Sequence, residues 1–185
     1  MKKILYTLLA LSIIFSACEE DTPLPAPNNN NNNSALAIGD SHQGGIIFYL
    51  DGNGGGLIAA PSDYDTDSTE WGCIGTLISG ADGTAIGTGA QNTIDIEAGC
   101  TTPLTAADIC ANTTLGGYND WFLPSRDELN QMYLNQTAIG GFASIYYWSS
   151  SENGNYGAWL QNVFGGNQNY SSKSYPGNVR AVRVF

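Results

Sequence analysis

The feature that most constrains the fold is a change of sequence pattern after Gly140 and Gly141. From there on, apolar and polar residues alternate with a period of two, which is typical of strands with one buried face. The alternating runs cover residues 146–150, 158–164, 169–173 and 178–185. Gly165, Gly166 and Asn167 predict a hairpin turn between two of these runs, because both residue types tolerate positive φ.

The other elements complete an α+β pattern. Apolar runs at residues 45–50 and 57–60 flank the sequence DGNGGG and predict a second hairpin. Ser125 and Glu128 form an S-x-x-E capping box, which predicts a helix from Arg126 onward. Shorter helices are predicted at 92–98 and at 103–112. Strands at both ends and helices between them predict an α+β domain with an antiparallel sheet, two to three short helices and long loops.

The N-terminal residues indicate processing rather than folding. Lys2 and Lys3 precede an apolar run over residues 4–17, which is shorter than the roughly 20 residues a membrane span needs. The run ends at Cys18 after two small residues, and this sequence resembles a bacterial lipobox. It predicts a lipoprotein signal peptide at residues 1–17 and a lipidated Cys18.

Residues 18–34 are predicted to be a tether. They contain an acidic triplet, three prolines and six consecutive asparagines, without apolar periodicity. Acidic residues directly after the lipidated cysteine resemble a surface-export signal of bacterial lipoproteins. We therefore expect an outer-membrane lipoprotein that is exposed at the surface, contacts the membrane through its lipid alone, and carries one folded domain at residues 35–185.

Charge and motif content exclude several function classes. The chain has 17 acidic and 6 basic side chains, a net charge of −11, and such a chain repels nucleic acid. It has one histidine and lacks the G-x-S-x-G and H-E-x-x-H motifs. Asp127 and Glu128 are adjacent at a helix N-terminus, where their charge suits the helix dipole. We therefore expect a protein that is not an enzyme.

Three cysteines remain once Cys18 carries lipid: Cys73, Cys100 and Cys110. At most one internal disulfide can form, and all three pairings stay open. Cys100–Cys110 is favoured because it closes the shortest loop. Zinc is disfavoured because no CxxC occurs.

An acidic segment follows the first hairpin, with carboxylates at Asp63, Asp65, Asp67 and Glu70. Calcium prefers several carboxylate oxygens from one loop. An EF-hand register fails here, because Ser68 and Ile74 occupy the positions that require glycine and glutamate. The prediction is a solvated acidic loop and no cofactor, with calcium kept as the alternative.

The last predicted strand carries an arginine on each face, Arg180 and Arg183. Whichever face is buried, its guanidinium must find a carboxylate or several carbonyls. The candidate partners are Glu152, Asp120 and Asp127. The alternative is an edge strand with both arginines solvated.

The segment after Trp148 is rich in tyrosine, asparagine and serine, which give rigid aromatic contact and adaptable hydrogen bonds in binding surfaces. We expect Trp148 and Trp159 to be core residues on strands. The predicted ligand-binding residues are Tyr156, Asn167, Asn169, Tyr170 and Tyr175.

An ordered set of motifs resembles the C-terminal domain family of the Legionella collagen-like adhesin, and is similar to the Fibrobacter major paralogous domain. The motifs are GGYNDWFLPSRDEL from Gly116, YWSSSE from Tyr147, AW at Ala158 and VRAVR from Val179. The resemblance implies a C-type-lectin-like fold with paired N- and C-terminal strands and loops displayed on one side. The adhesin binds sulfated glycans, but this chain lacks a collagen repeat and is acidic.

Calcium-dependent sugar binding is not carried over from C-type lectins. Those proteins use a Trp-Asn-Asp segment, whereas this chain has tyrosine at the first position, Tyr118. We expect Asn119 and Asp120 to form a turn before a short strand ending at Leu123. The expected function is a surface-anchored, non-catalytic binding module for a glycan or protein ligand, recognised through C-terminal loops. The alternative is a structural or assembly lipoprotein that docks onto an envelope partner.

Overall fold

The computed structural model describes residues 35–64, 69–143 and 146–185. The predicted signal peptide, Cys18 and the predicted tether lie outside the described residues, as do Asp65 and Asp67. Four helices are described: α1 Gly89–Gly99, α2 Ala106–Ala111, α3 Arg126–Leu134 and α4 Gln136–Ile139. Seven strands are described: β1 Ser41–His42, β2 Gly45–Leu50, β3 Gly56–Ala59, β4 Tyr146–Asn153, β5 Gly157–Asn162, β6 Gln168–Ser172 and β7 Val182–Val184. The α+β class is confirmed.

The strands form two antiparallel sheets, where the sequence predicted one. The first has the order β1-β2-β3-β7, so the C-terminal strand pairs with an N-terminal strand, with Leu57 opposite Val184. The predicted hairpin between β2 and β3 is confirmed. Its turn is held by Asp51, whose Oδ1 accepts hydrogen bonds from the backbone N–H groups of Asn53 and Gly55 at 2.7 and 3.0 Å.

The second sheet has the order β4-β5-β6. Strand β5 pairs with β6 over five consecutive residues without a register shift. Its hairpin turn is where the sequence placed it. Asn162 Oδ1 accepts the N–H groups of Phe164 and Gly165 at 2.9 and 3.0 Å, and Gly166 has φ +74°.

Two of the described helices, α2 and α3, begin at capping boxes. Ser125 and Glu128 form the predicted capping box of α3. Helix α2 is shorter than predicted, because it begins after a second capping box between Thr105 and Asp108 rather than at Pro103. Helix α1 extends the predicted 92–98 segment at both ends, and α4 is an additional single turn.

The side chain of Glu128 accepts hydrogen bonds from a second segment as well as from the start of its own helix. The side chain is fully buried, and it accepts the backbone N–H of Gly87 at 2.8 Å as well as that of Ser125 at 2.7 Å. Burial raises the pKa of this carboxyl above its ordinary value, although the backbone hydrogen bonds oppose the shift. Glu128 therefore joins the loop that precedes α1 to the start of α3.

The favoured disulfide pairing, Cys100–Cys110, was wrong. Cys73 pairs with Cys100, and Cys110 is a free thiol buried in α2. The length of the loop does not decide the pairing, because α2 directs Cys110 into the core. Burial there raises the pKa of the Cys110 thiol. The bond instead joins the end of α1 to the segment after Trp71.

The core has two clusters of buried side chains. The first joins α1 and α2 to both sheets and includes Ile47 and Trp148. The second packs α3 against the first sheet and also includes Tyr147 of the second sheet. Trp148 is a core residue as predicted, and Trp159 is half-buried. The last strand is shorter than predicted, with regular pairing only over β7. Asn119 and Asp120 follow the turn at Gly116 and Gly117 rather than forming it, and the short strand is reduced to one bridge between Phe122 and Val182.

Candidate functional site

Strand β6 is an edge strand, and its residues are mostly exposed. Two open depressions meet at it. The larger has a volume of about 630 Å³, and the smaller about 230 Å³. Tyr170 and Ser171 line both of them. We call this surface, formed by β6 and the two depressions, the β6 surface.

The larger depression lies between β6 and the turn that joins β4 to β5. Its lining consists of Ile74, Asn153, Gly154, Asn155, Tyr156, Gly157, Tyr170, Ser171 and Ser172. The smaller depression is lined by Tyr146, Leu160, Asn169, Tyr170, Ser171 and Tyr175. Neither lining includes an aspartate, glutamate, lysine, arginine or histidine from the described residues. In a chain of net charge −11, the β6 surface is therefore locally uncharged.

Three tyrosines present their rings at this surface. Tyr156 is 69% exposed, Tyr170 65% and Tyr175 38%. The Tyr170 ring lies edge-on to Trp159, with 6.0 Å between centroids. Tyr175 makes the same kind of contact with Tyr146 and with the buried Trp148. These contacts fix the orientation of Tyr170 and Tyr175 and leave ring area free for a ligand.

The structure brings together four of the five predicted ligand-binding residues. Tyr156 and Tyr170 share the larger depression, and Asn169, Tyr170 and Tyr175 share the smaller one. Asn167 lines neither. Its carbonyl accepts the N–H of Asn162 at 2.9 Å, so this residue closes the hairpin turn. Asn169 and Tyr170 belong to a regular strand, so the surface is a sheet edge rather than a loop.

Sequence reasoning missed the contribution of residues 74 and 75. Ile74 is 50% exposed and lines the larger depression. The N–H of Gly75 donates to the carbonyl of Asn155 at 2.8 Å, which holds this segment beside the β4–β5 turn. No local pattern signals a contact across about 80 residues. The neighbouring Cys73 forms a long-range disulfide with Cys100, and the favoured disulfide pairing was wrong.

A buried ion pair supports the surface from below. Lys173 follows β6 directly and contacts Glu152 at the end of β4, and both side chains are almost fully buried. Lys173 Nζ also donates to the carbonyl of Thr76 at 2.7 Å and lies 4.5 Å from the centre of the Trp71 ring. Glu152 was predicted as an arginine partner, and that was wrong because Lys173 occupies it.

Both arginines of the C-terminal segment are buried, and the solvated alternative is wrong. Arg180 donates to Asp63 at 2.7 Å and to the carbonyl of Gly140 at 2.7 Å. Asp63 was missed as a partner, because it was assigned to the solvated acidic loop. Its other oxygen accepts the hydroxyl of Tyr147 and the N–H of Ala143.

Arg183 contacts Asp120, the predicted partner, and lies 3.8 Å from the centre of the Tyr118 ring. Its hydrogen bond lowers the pKa of Asp120 below the ordinary value. Asp127, the third candidate partner, contacts Arg126 instead. Buried guanidinium groups therefore find carboxylates as expected.

Of the four carboxylates of the acidic segment, the structure describes Asp63 and Glu70. Asp63 is occupied by Arg180, and the exposed Glu70 lies beyond the undescribed residues 65–68. Within the described ranges, no group of three or more His, Cys, Asp or Glu side chains is placed to hold a metal ion.

A pair of carboxyl groups lies between α1 and α2. Partial burial and then the hydrogen bond and negative charge of Asp108 raise the pKa of Glu97 to about 7. Asp108 accepts the N–H of Thr105 in the α2 capping box. This pair is remote in sequence from every residue that lines the β6 surface.

The protein is therefore an α+β domain of two small antiparallel sheets and short helices, with an uncharged aromatic surface at the edge strand β6. The family model of the Lcl C-terminal domain matches residues 69–183, so the chain belongs to the Lcl C-terminal domain family. A comparison with curated proteins finds no match. Among the described helices, none combines the length and the apolar character that crossing a bilayer requires.

Proposed function

We propose that the domain is a non-catalytic binding module that recognises an uncharged glycan at the β6 surface. The observation that carries this proposal is that two depressions share Tyr170, and that their linings hold tyrosine, asparagine and serine without an ionised side chain. Concave sites with aromatic walls and a few polar groups are typical of ligand binding.

The chemistry of the lining favours sugars. Tyrosine rings offer flat apolar faces with a hydroxyl at the edge, and asparagine amides both donate and accept hydrogen bonds. Asn153, Asn155 and Asn169 supply such amides around Tyr156 and Tyr170. A hexose presents the matching combination of apolar ring faces and hydroxyl groups.

Charge decides which glycans fit. The chain has a net charge of −11, and a negative protein repels sulfated polymers at long range. The β6 surface supplies no basic side chain to offset that repulsion. Sulfated glycans, which the family resemblance implies, are therefore the poorer ligands for this chain.

Location and fold family belong to the same proposal. A C-type-lectin-like fold, lipidation of Cys18 and display on the outer-membrane surface follow from the sequence resemblances. They describe a domain presented at the cell surface, where glycans are available. Cys18→Ala is expected to release the protein from membranes or to leave its precursor unprocessed, and normal membrane retention of that variant would contradict the location.

The test is a glycan array probed with the full-length protein, with calcium and with chelator. We expect binding to neutral glycans, little binding to sulfated ones, and no loss in chelator because Asp63 is engaged by Arg180. Tyr156→Ala is the matched variant, since its ring is exposed in the larger depression. Preference for sulfated glycans, or capture that Tyr156→Ala does not reduce, would refute the proposal.

A further inference from the structure

The outer edge of β6 carries main-chain groups without partners. In the β5–β6 ladder, Asn162 bonds to Asn167 and Lys173 bonds to Tyr156. Because hydrogen-bonded pairs alternate along an antiparallel ladder, Asn169 and Ser171 also face β5, and Gln168, Tyr170 and Ser172 face outward. No described strand lies beyond β6 to pair with Gln168 and Tyr170, while the carbonyl of Ser172 accepts the N–H of Tyr175.

This edge lacks the features that block strand addition. Edge strands are normally protected by charged side chains, prolines, bulges or a covering segment. Strand β6 reads Gln-Asn-Tyr-Ser-Ser, and its pairing with β5 is regular over its full length. It has no charge and no proline, and the ring of Tyr170 beside it is 65% exposed.

We propose that β6 pairs antiparallel with β6 of a second copy of this chain, about a two-fold axis at Tyr170. The register places Tyr170 opposite its own copy, so that each Tyr170 N–H donates to the other Tyr170 carbonyl. Gln168 then lies opposite Ser172 of the second copy, and its carbonyl accepts the Ser172 N–H, because the Ser172 carbonyl already accepts the N–H of Tyr175. The two three-stranded sheets become one sheet of six strands.

The absence of charge makes β6 the place where a second copy can bind. Two chains of net charge −11 repel, so they can approach only where neither presents a charge. Every pair in this register joins two neutral side chains: Gln168 with Ser172, Asn169 with Ser171, and Tyr170 with Tyr170. Cross-strand aromatic pairs stabilise sheets, and tyrosine is the one aromatic residue of this strand.

The size of the contact sets its strength. Stable interfaces bury roughly 1,200–2,000 Å² in total, and five residues of an edge strand supply less than that. The association is therefore weak, depends on protein concentration, and increases with salt because salt screens the net charge. Its consequence is that two β6 surfaces lie side by side, which raises avidity for a repeating ligand.

The experiment replaces Tyr170, the residue on the proposed two-fold axis, with charged residues. Tyr170→Lys and Tyr170→Glu variants of the full-length protein are compared with wild type by analytical ultracentrifugation, separately and as an equimolar mixture. We expect a concentration-dependent dimer for wild type, monomers for each variant alone, and recovery of the dimer in the mixture, because Lys and Glu then face each other. The Tyr156→Lys and Tyr156→Glu pair is the matched control and is expected to dimerise like wild type.

Amide hydrogen exchange provides a second readout that needs no variant. The amides of Gln168 and Tyr170 are expected to slow as protein concentration rises, while those of Asn169 and Ser171 do not change. A monomeric wild type, dimers that survive in each Tyr170 variant alone, a mixture that stays monomeric, or an extended peptide that protects these amides while the protein stays monomeric would each overturn the inference. Dimerisation and glycan binding fail separately, because Tyr156 lies outside β6 and contributes only to the ligand surface.

Discussion

Three buried basic side chains, Arg180, Arg183 and Lys173, each contact a carboxylate. Each also has a second kind of support, either a backbone carbonyl or an aromatic ring. A buried charge costs several kcal/mol unless its hydrogen bonds are complete. These residues therefore tie distant segments together, since their partners lie 117, 63 and 21 positions away in the chain.

Removing the carboxylate of Asp63 is expected to destabilise the protein strongly. The Arg180 side chain has no solvent exposure, so Asp63→Asn leaves a buried positive charge without its counter-charge. We expect a loss of about 3 kcal/mol in the free energy of unfolding, measured by urea denaturation. Asp127→Asn is the matched control, because its pair with Arg126 is part-exposed and is worth at most about 1 kcal/mol. Equal losses in the two variants would contradict this account of Asp63.

The pH dependence of the free energy of unfolding is expected to reflect the protonation of Glu97. In the unfolded chain this carboxyl loses its proton near pH 4.5, but in the folded protein its pKa is about 7. Because the folded state holds the proton more tightly, the free energy of unfolding falls as pH rises through this window. Glu97→Gln is expected to reduce that fall, as shown by urea midpoints measured across the same range, while the part that comes from the raised pKa of Glu128 remains. Gln91→Ala on the same helix keeps it, and an unchanged slope in Glu97→Gln would assign the effect elsewhere.

At the scale of elements, the sequence predicts the features that are determined by residues close together in the chain. The α3 capping box and both hairpin turns are as expected, because each is specified within a few residues. The disulfide, the partner of Arg180 and the contribution of Ile74 were not predictable, because each depends on which distant segments become neighbours. The β6 surface was predicted only in part, since its tyrosines come from one sequence region and Ile74 from another.

Loss of a cap is expected to weaken α3 measurably. Ser125 accepts the N–H of Glu128, and its hydroxyl donates to the carbonyl of Ala85 at 2.9 Å. Ser125→Ala is expected to cost on the order of 1 kcal/mol, measured as a lower denaturation midpoint at unchanged slope. Thr88→Ala is the control, because Thr88 precedes α1 without a side-chain capping bond. An unchanged midpoint in Ser125→Ala would contradict the capping role.

At the scale of the whole molecule, the uncharged β6 surface is built on packed and cross-linked segments of the domain. Residues 35–185 form one compact unit, and the depressions at β6 are built from the second sheet, its turns and the segment after Cys73. The buried Glu152–Lys173 pair and the disulfide hold that segment in place. The exposed tyrosines therefore need little ordering on binding, which reduces the entropy cost of ligand capture.

The most direct test of the ligand surface is the affinity of the Tyr170→Ala variant for the best neutral glycan on the array, measured at a protein concentration at which wild type is monomeric. We expect binding to weaken by about 1–3 kcal/mol, as for truncated aromatic anchors, with an unchanged unfolding temperature because the Tyr170 ring is 65% exposed. Phe164→Ala, at an equally exposed ring in the β5–β6 turn outside both depressions, is expected to bind like wild type. Equal affinity of wild type and Tyr170→Ala, or weaker binding accompanied by a loss of several degrees in unfolding temperature, would contradict the assignment of the β6 surface.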